Sequence, residues 1–340
     1  MAAQMPDTVT VPAVAETVPV ATQMADAADD PAIFARADGA AFRFAGAQAQ
    51  AIILGTDKKA GLYVYGLDGS TLQFLAEGLL NNVDLRDQGE GFVAGASDRG
   101  RMGVALYRFD PRSSTDKLEP AGFIRSDVAE PYGFCMGRLD GELIAALIGK
   151  DGQVRIYGLT DDGTTIVGAE RRRFAVGSQS EGCVVDDDAG QLYIGEELKG
   201  VWRYPLRGTD AERALVGGVG DGKLVADVEG VALIKHAGDR FLLVSSQGDS
   251  AFAVWRVSGA DASYVGRFRV SAGSGVDAVT GTDGIDARGG AIGSFSAGLV
   301  VVQDDQNDGG AQNFKLLGWS EILGALGNPP HHHQRIEERP

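Results

Sequence analysis

The stretch SEGCVVDDDAGQLYIGEELKGVWRYPL, residues 180–206, shows most clearly the pattern from which the fold can be predicted. A polar residue opens a short apolar run, and a turn rich in Asp and Gly leads to a second apolar run. After another turn comes a third run, in which apolar residues alternate with others. Period-two alternation between Gly and Asp turns is typical of strands in antiparallel hairpins. The stretch therefore predicts three consecutive antiparallel strands.

The same pattern recurs along the chain at intervals of roughly fifty residues, which is the mark of a repeat architecture. Its six opening residues are Asp30, Asn82, Tyr132, Glu181, Glu229 and Asp283. A weaker fourth strand follows in most units, as in TLQFLAEG and YVGRFRV. Short strands between glycine-rich turns, repeated at this period, favour a propeller. We therefore predict an all-β fold, a six-bladed β-propeller with four antiparallel strands per blade.

The last repeat lacks a strand, and the segment before the first repeat has an additional one. The sixth unit ends near Trp319 without an obvious fourth strand, while VTVPAVAETVPV, residues 9–20, has strand character upstream of the first unit. We predict that this N-terminal strand completes the last blade and closes the ring, which removes an exposed sheet edge. A frayed N-terminal arm is the alternative. The pattern predicts one domain over residues 1–322 and a disordered tail over 323–340.

The composition excludes several classes of partner. The formal charge is −16, and no basic patch of the kind that binds nucleic acid is visible. No apolar run approaches the length of a membrane span. No signal peptide is visible in this chain, although this does not establish a cytosolic location. We expect a monomer that binds a small molecule.

Cys135 and Cys183 lie in the first runs of adjacent repeats, at offsets that differ by one residue. Their side chains should therefore point to opposite faces of neighbouring strands. We expect two buried free thiols rather than a disulfide.

A second register lies roughly seventeen residues after the openings, which is the length of a strand, a turn and a returning strand. It contains Arg99, Lys150, Glu197 and Gln247, with Lys58 and Asp304 at the corresponding points of the first and sixth units. An antiparallel hairpin brings its two ends together. Both registers should therefore share one rim of the central channel.

The chemistry of this rim is uneven, with acids densest in the later blades and cations in the first three. Many carboxylates in one mouth cannot all remain ionised without counter-charge. Oxygen ligands without His or Cys select hard cations, and loose oxygen-rich sites favour Ca²⁺ over Mg²⁺. Phosphate oxygens can bridge such ions and accept hydrogen bonds from Lys and Arg. The rim predicts a metal cluster facing a cationic wall, although Asp also populates turns for backbone reasons alone.

Several segments, in order from about residue 26 to residue 319, resemble the β-propeller phytases: DAADDPAIF, TDKKAGLYVY, LLNNVDLR, EPYGF, SEGCVVDDDAGQLYIGEE, TDGIDA and GLVVVQDDQN. The resemblance implies a calcium-dependent phosphomonoesterase of the 3-phytase type. Its substrate would be myo-inositol hexakisphosphate (phytate), hydrolysed by direct attack of a calcium-bound water. The resemblance also implies several Ca²⁺ ions and a secreted or periplasmic protein.

The resemblance assigns roles to individual residues. Phosphate at the cleavage site would contact Lys58, Arg99, Tyr132 and Lys150. An adjacent phosphate would bind Lys59, and the same rim offers Asn82, Asp84 and Gln247 as substrate-binding candidates. The implied calcium ligands are Asp29, Asp30, Glu181, Glu197, Asp227, Glu229, Asp283, Asp304 and Asn307. Of these, Asp304 and Asn307 would help to hold a tighter, structural ion.

Some points stay open at this stage. Alternation lets only one of Glu196 and Glu197 point into the mouth. Asp57 and Asp98 stand where the family pattern has Asn, so they could weaken phosphate binding or add a metal ligand. A calcium-dependent lactonase and a non-enzymatic propeller scaffold are the alternative functions. For the phosphatase we expect a neutral-to-alkaline optimum, because protonation of the acids would release Ca²⁺.

Overall fold

The computed structural model describes residues 7–23 and 26–327. Two N-terminal strands come first, β1 (Thr8–Pro12) and β2 (Ala15–Glu16). Blade one consists of β3 (Ala28–Ala35), an inserted hairpin of β4 (Phe42–Phe44) and β5 (Ala47–Ala49), and then β6 (Ala51–Asp57), β7 (Gly61–Gly66) and β8 (Thr71–Leu75). Blade two consists of β9 (Leu80–Gln88), β10 (Gly91–Asp98), β11 (Gly103–Phe109) and β12 (Glu119–Arg125).

The remaining blades repeat this antiparallel order. Blade three consists of β13 (Pro131–Leu139), β14 (Glu142–Gly149), β15 (Gln153–Asp161) and β16 (Ile166–Ala175). Blade four consists of β17 (Ser180–Asp186), β18 (Gln191–Glu196), β19 (Gly200–Pro205) and β20 (Ala214–Gly218). Blade five consists of β21 (Val228–His236), β22 (Asp239–Ser246), β23 (Ala251–Ser258) and β24 (Asp261–Ser271). Blade six contains β25 (Ile285–Gly289), β26 (Gly298–Asp304) and β27 (Asn313–Gly318), and helix α1 (Trp319–Ala325) follows.

The inner strands form a closed ring. Each first strand contacts the first strand of the next blade, from β3 to β9, β13, β17, β21 and β25, and β25 contacts β3 again. Six hydrophobic clusters fill the six spaces between successive blades. Both faces of every blade are therefore buried, as the repeat requires. The predicted six-bladed β-propeller is confirmed.

The N-terminal segment closes the ring as predicted. Strand β2 pairs antiparallel with β27, with Ala15 opposite Leu316, and so supplies the fourth strand of blade six. Strand β1 pairs in parallel with β24 and adds a fifth strand to blade five, which was not predicted from the sequence. The segment thus joins two blades across the closure.

The two cysteines form a disulfide between blades three and four, so the expectation of free thiols is wrong. The side chains do alternate to opposite faces of their own blades, as their offsets indicate. In a stacked ring, however, the face of one blade packs on the opposite face of the next. Cys135 and Cys183 therefore meet in the same inter-blade core.

Helix α1 extends past the domain boundary predicted at residue 322, because Leu323 is buried with Trp319 and Ile322 in the core between blades five and six. The greater part of the predicted tail, residues 328–340, lies outside the described residues. No helix in the described ranges is long and apolar enough to cross a membrane.

Candidate active site

A β-bulge marks the start of the inner strand in each of blades one to five. In blade three, for example, Pro131 pairs with Gly149 and Phe134 pairs with Leu147, so three steps on one strand oppose two on the other. The other four blades show the same shift. Bulges re-aim side chains and are common beside active sites. The first residue of each bulge is Asp29, Asn81, Tyr132, Glu181 or Glu229.

The bulge corrects the register assigned from the sequence in two blades. The structural equivalents of Tyr132, Glu181 and Glu229 are Asp29 and Asn81, not Asp30 and Asn82. In blades one and two the second bulge position carries a polar side chain, whereas blades three to five have glycine there. A Cβ at Gly182 would lie only 2.2 Å from the carbonyl oxygen of Glu229, so glycine allows the inner strands to approach closely.

The second register lies beside the first, as the hairpin argument requires. Five residues directly follow the second strands of their blades: Lys58, Arg99, Lys150, Glu197 and Gln247. The amide of each donates to a carbonyl just before the bulge of its own blade, as Lys58 does to Ala27 at 2.7 Å and Lys150 does to Glu130 at 3.0 Å. One rim therefore carries both sets of residues.

Three carboxylates converge at this rim. Glu181, Glu197 and Glu229 each place one oxygen within 4.8 Å of the others, and all three are buried. Glu197 Oε1, Glu229 Oε2 and both oxygens of Asp29 accept no hydrogen bond from the part of the chain that the structure describes. We call Asp29, Glu181, Glu197, Glu229 and Asp283 the rim cluster.

Buried oxygens without donors are costly unless a ligand satisfies them. The rim cluster offers carboxylate oxygens without His or Cys, which is the donor set of a hard cation such as Ca²⁺. The residues present therefore fit the predicted metal.

The pKa values of the rim acids are raised by burial and by repulsion between the carboxylates. Burial, and then repulsion from Asp29, raises the pKa of Glu181 well above its usual value, and burial together with Glu181 does the same to Glu229. Burial raises the pKa of Asp283 to about 7, although Lys58 opposes the shift. The rim cluster holds more negative charge than its neighbours neutralise.

Lys58 is the cation in direct contact with this cluster. Its buried ammonium lies 2.5 Å from Asp26 and 3.3 Å from both Asp29 and Asp283. Burial alone would lower the pKa of Lys58, but Asp29, Asp283 and Glu181 together raise it above its usual value. The ammonium is thus held charged among the acids.

The other predicted cations surround Lys58. Arg99 Nη2 donates to the carbonyl oxygen of Lys58 at 2.8 Å, and its Nε is buried without a partner in the described chain. Lys59 lies 3.5 Å from Asp26. The exposed Lys150 lies over the Tyr132 ring, 5.1 Å from its centroid, and burial together with the Glu181 charge raises the pKa of Tyr132 above its usual value.

A profile of the family described as Phytase matches residues 2–340. The chain belongs to the phytase family. A 3-phytase of Bacillus subtilis (strain 168) is 35% identical over an alignment 346 positions long, which covers 95% of this chain and 87% of the relative. The α-L-arabinanase of Penicillium chrysogenum, solved with arabinobiose, matches with a TM-score of 0.56 and 10% identity, over 92% of this chain and 99% of its own. At that identity the likeness shows the fold alone.

Asn81 is a residue of this phytase-family site that sequence reasoning missed. It is fully buried, and its Nδ2 donates to Glu181 Oε1 at 2.6 Å, while its Oδ1 has no partner among the described residues. The predicted Asn82 also lies 3.0 Å from Glu181 Oε1 and donates to it when its amide nitrogen faces that atom. The Asn81-Asn82 pair is visible in the sequence, but only the bulge in the structure shows that both side chains face Glu181.

Asp84 does not lie at the rim with the other predicted substrate-binding residues. It lies further along β9, where Oδ2 accepts from the Met136 amide at 2.7 Å and both oxygens contact Arg86 at 3.0 Å. It lines a channel cavity of about 780 Å³ together with Asp30, Asp187 and Asp286. We call Asp84, Asp187 and Asp286 the lower belt. Asp30 is likewise engaged, because its Oδ2 accepts from the Val83 amide at 3.1 Å.

The remaining rim residues have clear positions. The Gln247 side chain donates to Asp283 Oδ1. The backbone amide of Gln247 donates to the carbonyl oxygen of the half-buried Asp227 at 3.0 Å. Glu196 accepts from Ser178 at 2.6 Å and from Trp202 at 2.7 Å, and so points away from the cluster that contains Glu197.

The two aspartates that depart from the family pattern act locally. Asp57 Oδ1 accepts from the Lys59 amide at 3.0 Å, and Asp98 accepts from the amide and the side chain of Arg101. Both therefore stabilise the turns that carry rim cations.

Asp304 and Asn307 belong to a separate oxygen cluster around the fully buried Lys315. The Lys315 ammonium lies 3.3 Å from Asp304, donates to Asn307 at 2.8 Å, and also contacts Glu16 and Asp277. Sequence reasoning missed Glu16 and Asp277, because they are distant in the chain. The four oxygen donors suit a hard cation, but one that enters here must share them with the ammonium.

Proposed function

We propose that this phytase-family chain is a calcium-dependent phosphomonoesterase that hydrolyses phytate by direct attack of water. The observation that carries the proposal is the rim cluster, in which buried carboxylate oxygens without hydrogen-bond donors lie beside the Lys58 ammonium. Such a site is incomplete without cations. A polyphosphorylated ligand bridges bound cations and Lys or Arg side chains, which explains how a chain of charge −16 can bind a polyanion.

The rim cluster would hold the active-site ions, with Asp227 at its edge and Asp30 contributing its remaining oxygen. Calcium ions, when bound, supply charge neutralisation for the phosphates and a coordinated water as the nucleophile. For the second cluster we propose a structural ion held by Asp304 and Asn307, with Glu16 and Asp277 as further oxygen donors.

The chain's own cations stabilise charge on the phosphoryl group. Lys58 is fixed between Asp29 and Asp283, so its ammonium is charged and oriented before substrate arrives. Arg99 is positioned through the carbonyl of Lys58, and Lys150 lies over the Tyr132 ring. Donors that are preorganised in this way act where negative charge develops, and cost no reorganisation. Lys59, Asn82 and Gln247 are proposed to bind neighbouring substrate groups.

We also propose a secreted or periplasmic location. The disulfide between Cys135 and Cys183 supports it, because such bonds persist in oxidising compartments.

The test is phosphate release from phytate after chelation, with Ca²⁺ or Mg²⁺ added back. We expect Ca²⁺ to restore activity and Mg²⁺ to restore little. Lys58→Ala should lower kcat/KM on the order of 10²–10³-fold, as for removal of one preorganised donor. Lys117→Ala, at an exposed lysine beside the outer strand β12, is the matched control and should leave the rate unchanged. Full activity in excess chelator, or full activity of Lys58→Ala, would refute the proposal.

A further inference from the structure

Two buried glutamines of blade six lie at the seam where the ring closes on blade one. Gln303, near the end of β26, is 0% exposed, and Gln312, just before β27, is 2% exposed. Buried amides need partners for both their donor and their acceptor. Neither residue has a role in the proposed chemistry, so their partners are informative.

Gln303 connects the two blades directly. Its Oε1 accepts from the Asp283 amide at 2.8 Å, and its Nε2 donates to the carbonyl oxygen of Ala28 at 3.2 Å. One side chain therefore holds the backbone of Asp283 in blade six and that of the residue before Asp29 in blade one.

Gln312 holds the same segment of blade one from its other side. Its Oε1 accepts from the amides of Ala27 at 2.6 Å and Ala28 at 2.9 Å. Its Nε2 donates to the carbonyl and the carboxylate of Asp305, which fixes the orientation of the amide.

The backbone around Asp29 receives hydrogen bonds from both blades. The Lys58 amide donates to the Ala27 carbonyl at 2.7 Å, and the Gly284 amide donates to the Asp29 carbonyl at 3.1 Å. The side chains of Asp29 and Asp283 both contact the Lys58 ammonium, each at 3.3 Å. The glutamine side chains therefore hydrogen-bond the backbone of the segments that carry these two carboxylates.

We propose that Gln303 and Gln312 are positioning residues that set the separation of Asp29 and Asp283, and so set the calcium affinity of the rim cluster. The inference rests on the proposed calcium dependence. Groups that orient metal ligands are typically worth 10–100-fold in metal affinity. Leucine at either position would fill the space but leave backbone groups unpaired, so the two acids would no longer be held in place.

The experiment compares Gln303→Leu and Gln312→Leu with Gln73→Leu. Gln73 is the matched control, because its side chain also joins two blades, between the outer parts of blades one and two. Its Oε1 accepts from the backbone amide of Leu118 at 3.0 Å, and its Nε2 donates to the Leu118 carbonyl oxygen at 2.8 Å. All three variants lose inter-blade hydrogen bonds, and only the first two lose them at the rim. Calcium binding to chelator-treated protein is measured by calorimetry, together with the calcium concentration for half-maximal activity and the unfolding temperature.

We expect both rim variants to bind calcium about 10–100-fold more weakly, and to need correspondingly more calcium for activity. Gln73→Leu should lose unfolding stability with unchanged calcium affinity. If a leucine variant fails to fold, Gln303→Asn or Gln312→Asn keeps the amide but is too short to span both partners, and should show a partial loss.

Two outcomes separate this inference from the function it rests on. Wild-type protein that hydrolyses phytate without calcium overturns both. Calcium-dependent wild-type protein whose rim variants bind calcium normally, and lose only stability, overturns the positioning role alone.

Discussion

Carboxylates line the central channel at two levels, the rim cluster and the lower belt, and the two differ in how their oxygens are satisfied. In the lower belt, Asp286 accepts from the Ile33 and Ala287 amides, each at 2.7 Å. Asp187 accepts from the Arg138 amide at 3.0 Å and lies 3.3 Å from Arg86, which also contacts Asp84. In the rim cluster, four oxygens of Asp29, Glu197 and Glu229 accept no hydrogen bond from the described chain, although Asp29 Oδ1 lies 3.3 Å from the Lys58 ammonium.

Carboxylates therefore have two different roles in one channel. An acid that caps an amide of the next blade stabilises the ring, because it satisfies a buried donor. An acid whose oxygen is left buried and unpaired costs stability until a ligand binds it. Proteins accept such costs at functional sites.

Neutralising a rim acid is expected to have the largest effect. Glu229→Gln should lower phytate hydrolysis on the order of 100-fold, because it removes one of the carboxylates proposed to hold the calcium ions that neutralise the phosphates. The chelator-treated variant should also unfold at a higher temperature than wild type, since one of several repelling buried charges is gone. The measurements are the rate of phytate hydrolysis with calcium and the unfolding temperature in EDTA. A Glu229→Gln variant that is both active and less stable than wild type would contradict the proposed difference between the two levels.

The close approach of the inner strands can be tested at the bulge. Gly182→Ala would place a Cβ 2.2 Å from the Glu229 carbonyl oxygen, so the strands must separate. We expect a loss of about 1–3 kcal/mol in unfolding free energy, with reduced activity because Glu181 and Glu229 move apart. Gly324→Ala in α1, where a Cβ meets nothing within 4 Å, is the control and should be neutral or stabilising. Denaturant unfolding of both variants in calcium would measure the difference, and equal stabilities would argue against the need for close approach.

A lower-belt acid should respond in the opposite way. Asp286→Asn keeps the size of the side chain but replaces one of two oxygen acceptors with a donor that faces an amide. The expected cost is about 1–3 kcal/mol of unfolding free energy, with little change in kcat for phytate. The comparison with Glu229→Gln would fail if Asp286→Asn abolished turnover while leaving the fold as stable as wild type.

The stability of the calcium-free protein should also depend on pH. Burial raises the pKa of Asp283 to about 7 and that of Asp286 to about 6, from an ordinary 3.8. Because the folded chain binds these protons more tightly than the unfolded chain does, the stability they contribute is complete below about pH 4 and is lost as the pH rises through about 7. Unfolding temperatures in EDTA should fall across that window, and added calcium should flatten the fall. A calcium-free protein that gains stability over the same range would contradict the assignment of raised pKa values.

Much of the site could be predicted from spacing. The opening residues and the residues about seventeen positions later do share one rim, because hairpin length and the repeat are local properties. The bulge was not predictable, since it is a register shift between two strands, and it moved the true equivalents in blades one and two to Asp29 and Asn81. Asp84 was assigned to the rim for the same reason, although it lies deeper and caps the Met136 amide.

The number of blades, the ring, the rim that carries the candidate site and the residue types there were predictable from the sequence alone, since periodicity and hydrogen-bonding chemistry are properties of the chain. Three features became visible only in the folded chain: the carboxylate oxygens that lack a hydrogen bond, the Cys135–Cys183 disulfide, and the contacts of Glu16 and Asp277 with Lys315. These outcomes depend on how one blade faces the next. Contacts between residues tens to hundreds of positions apart are set by packing, and packing has no period that a single sequence displays.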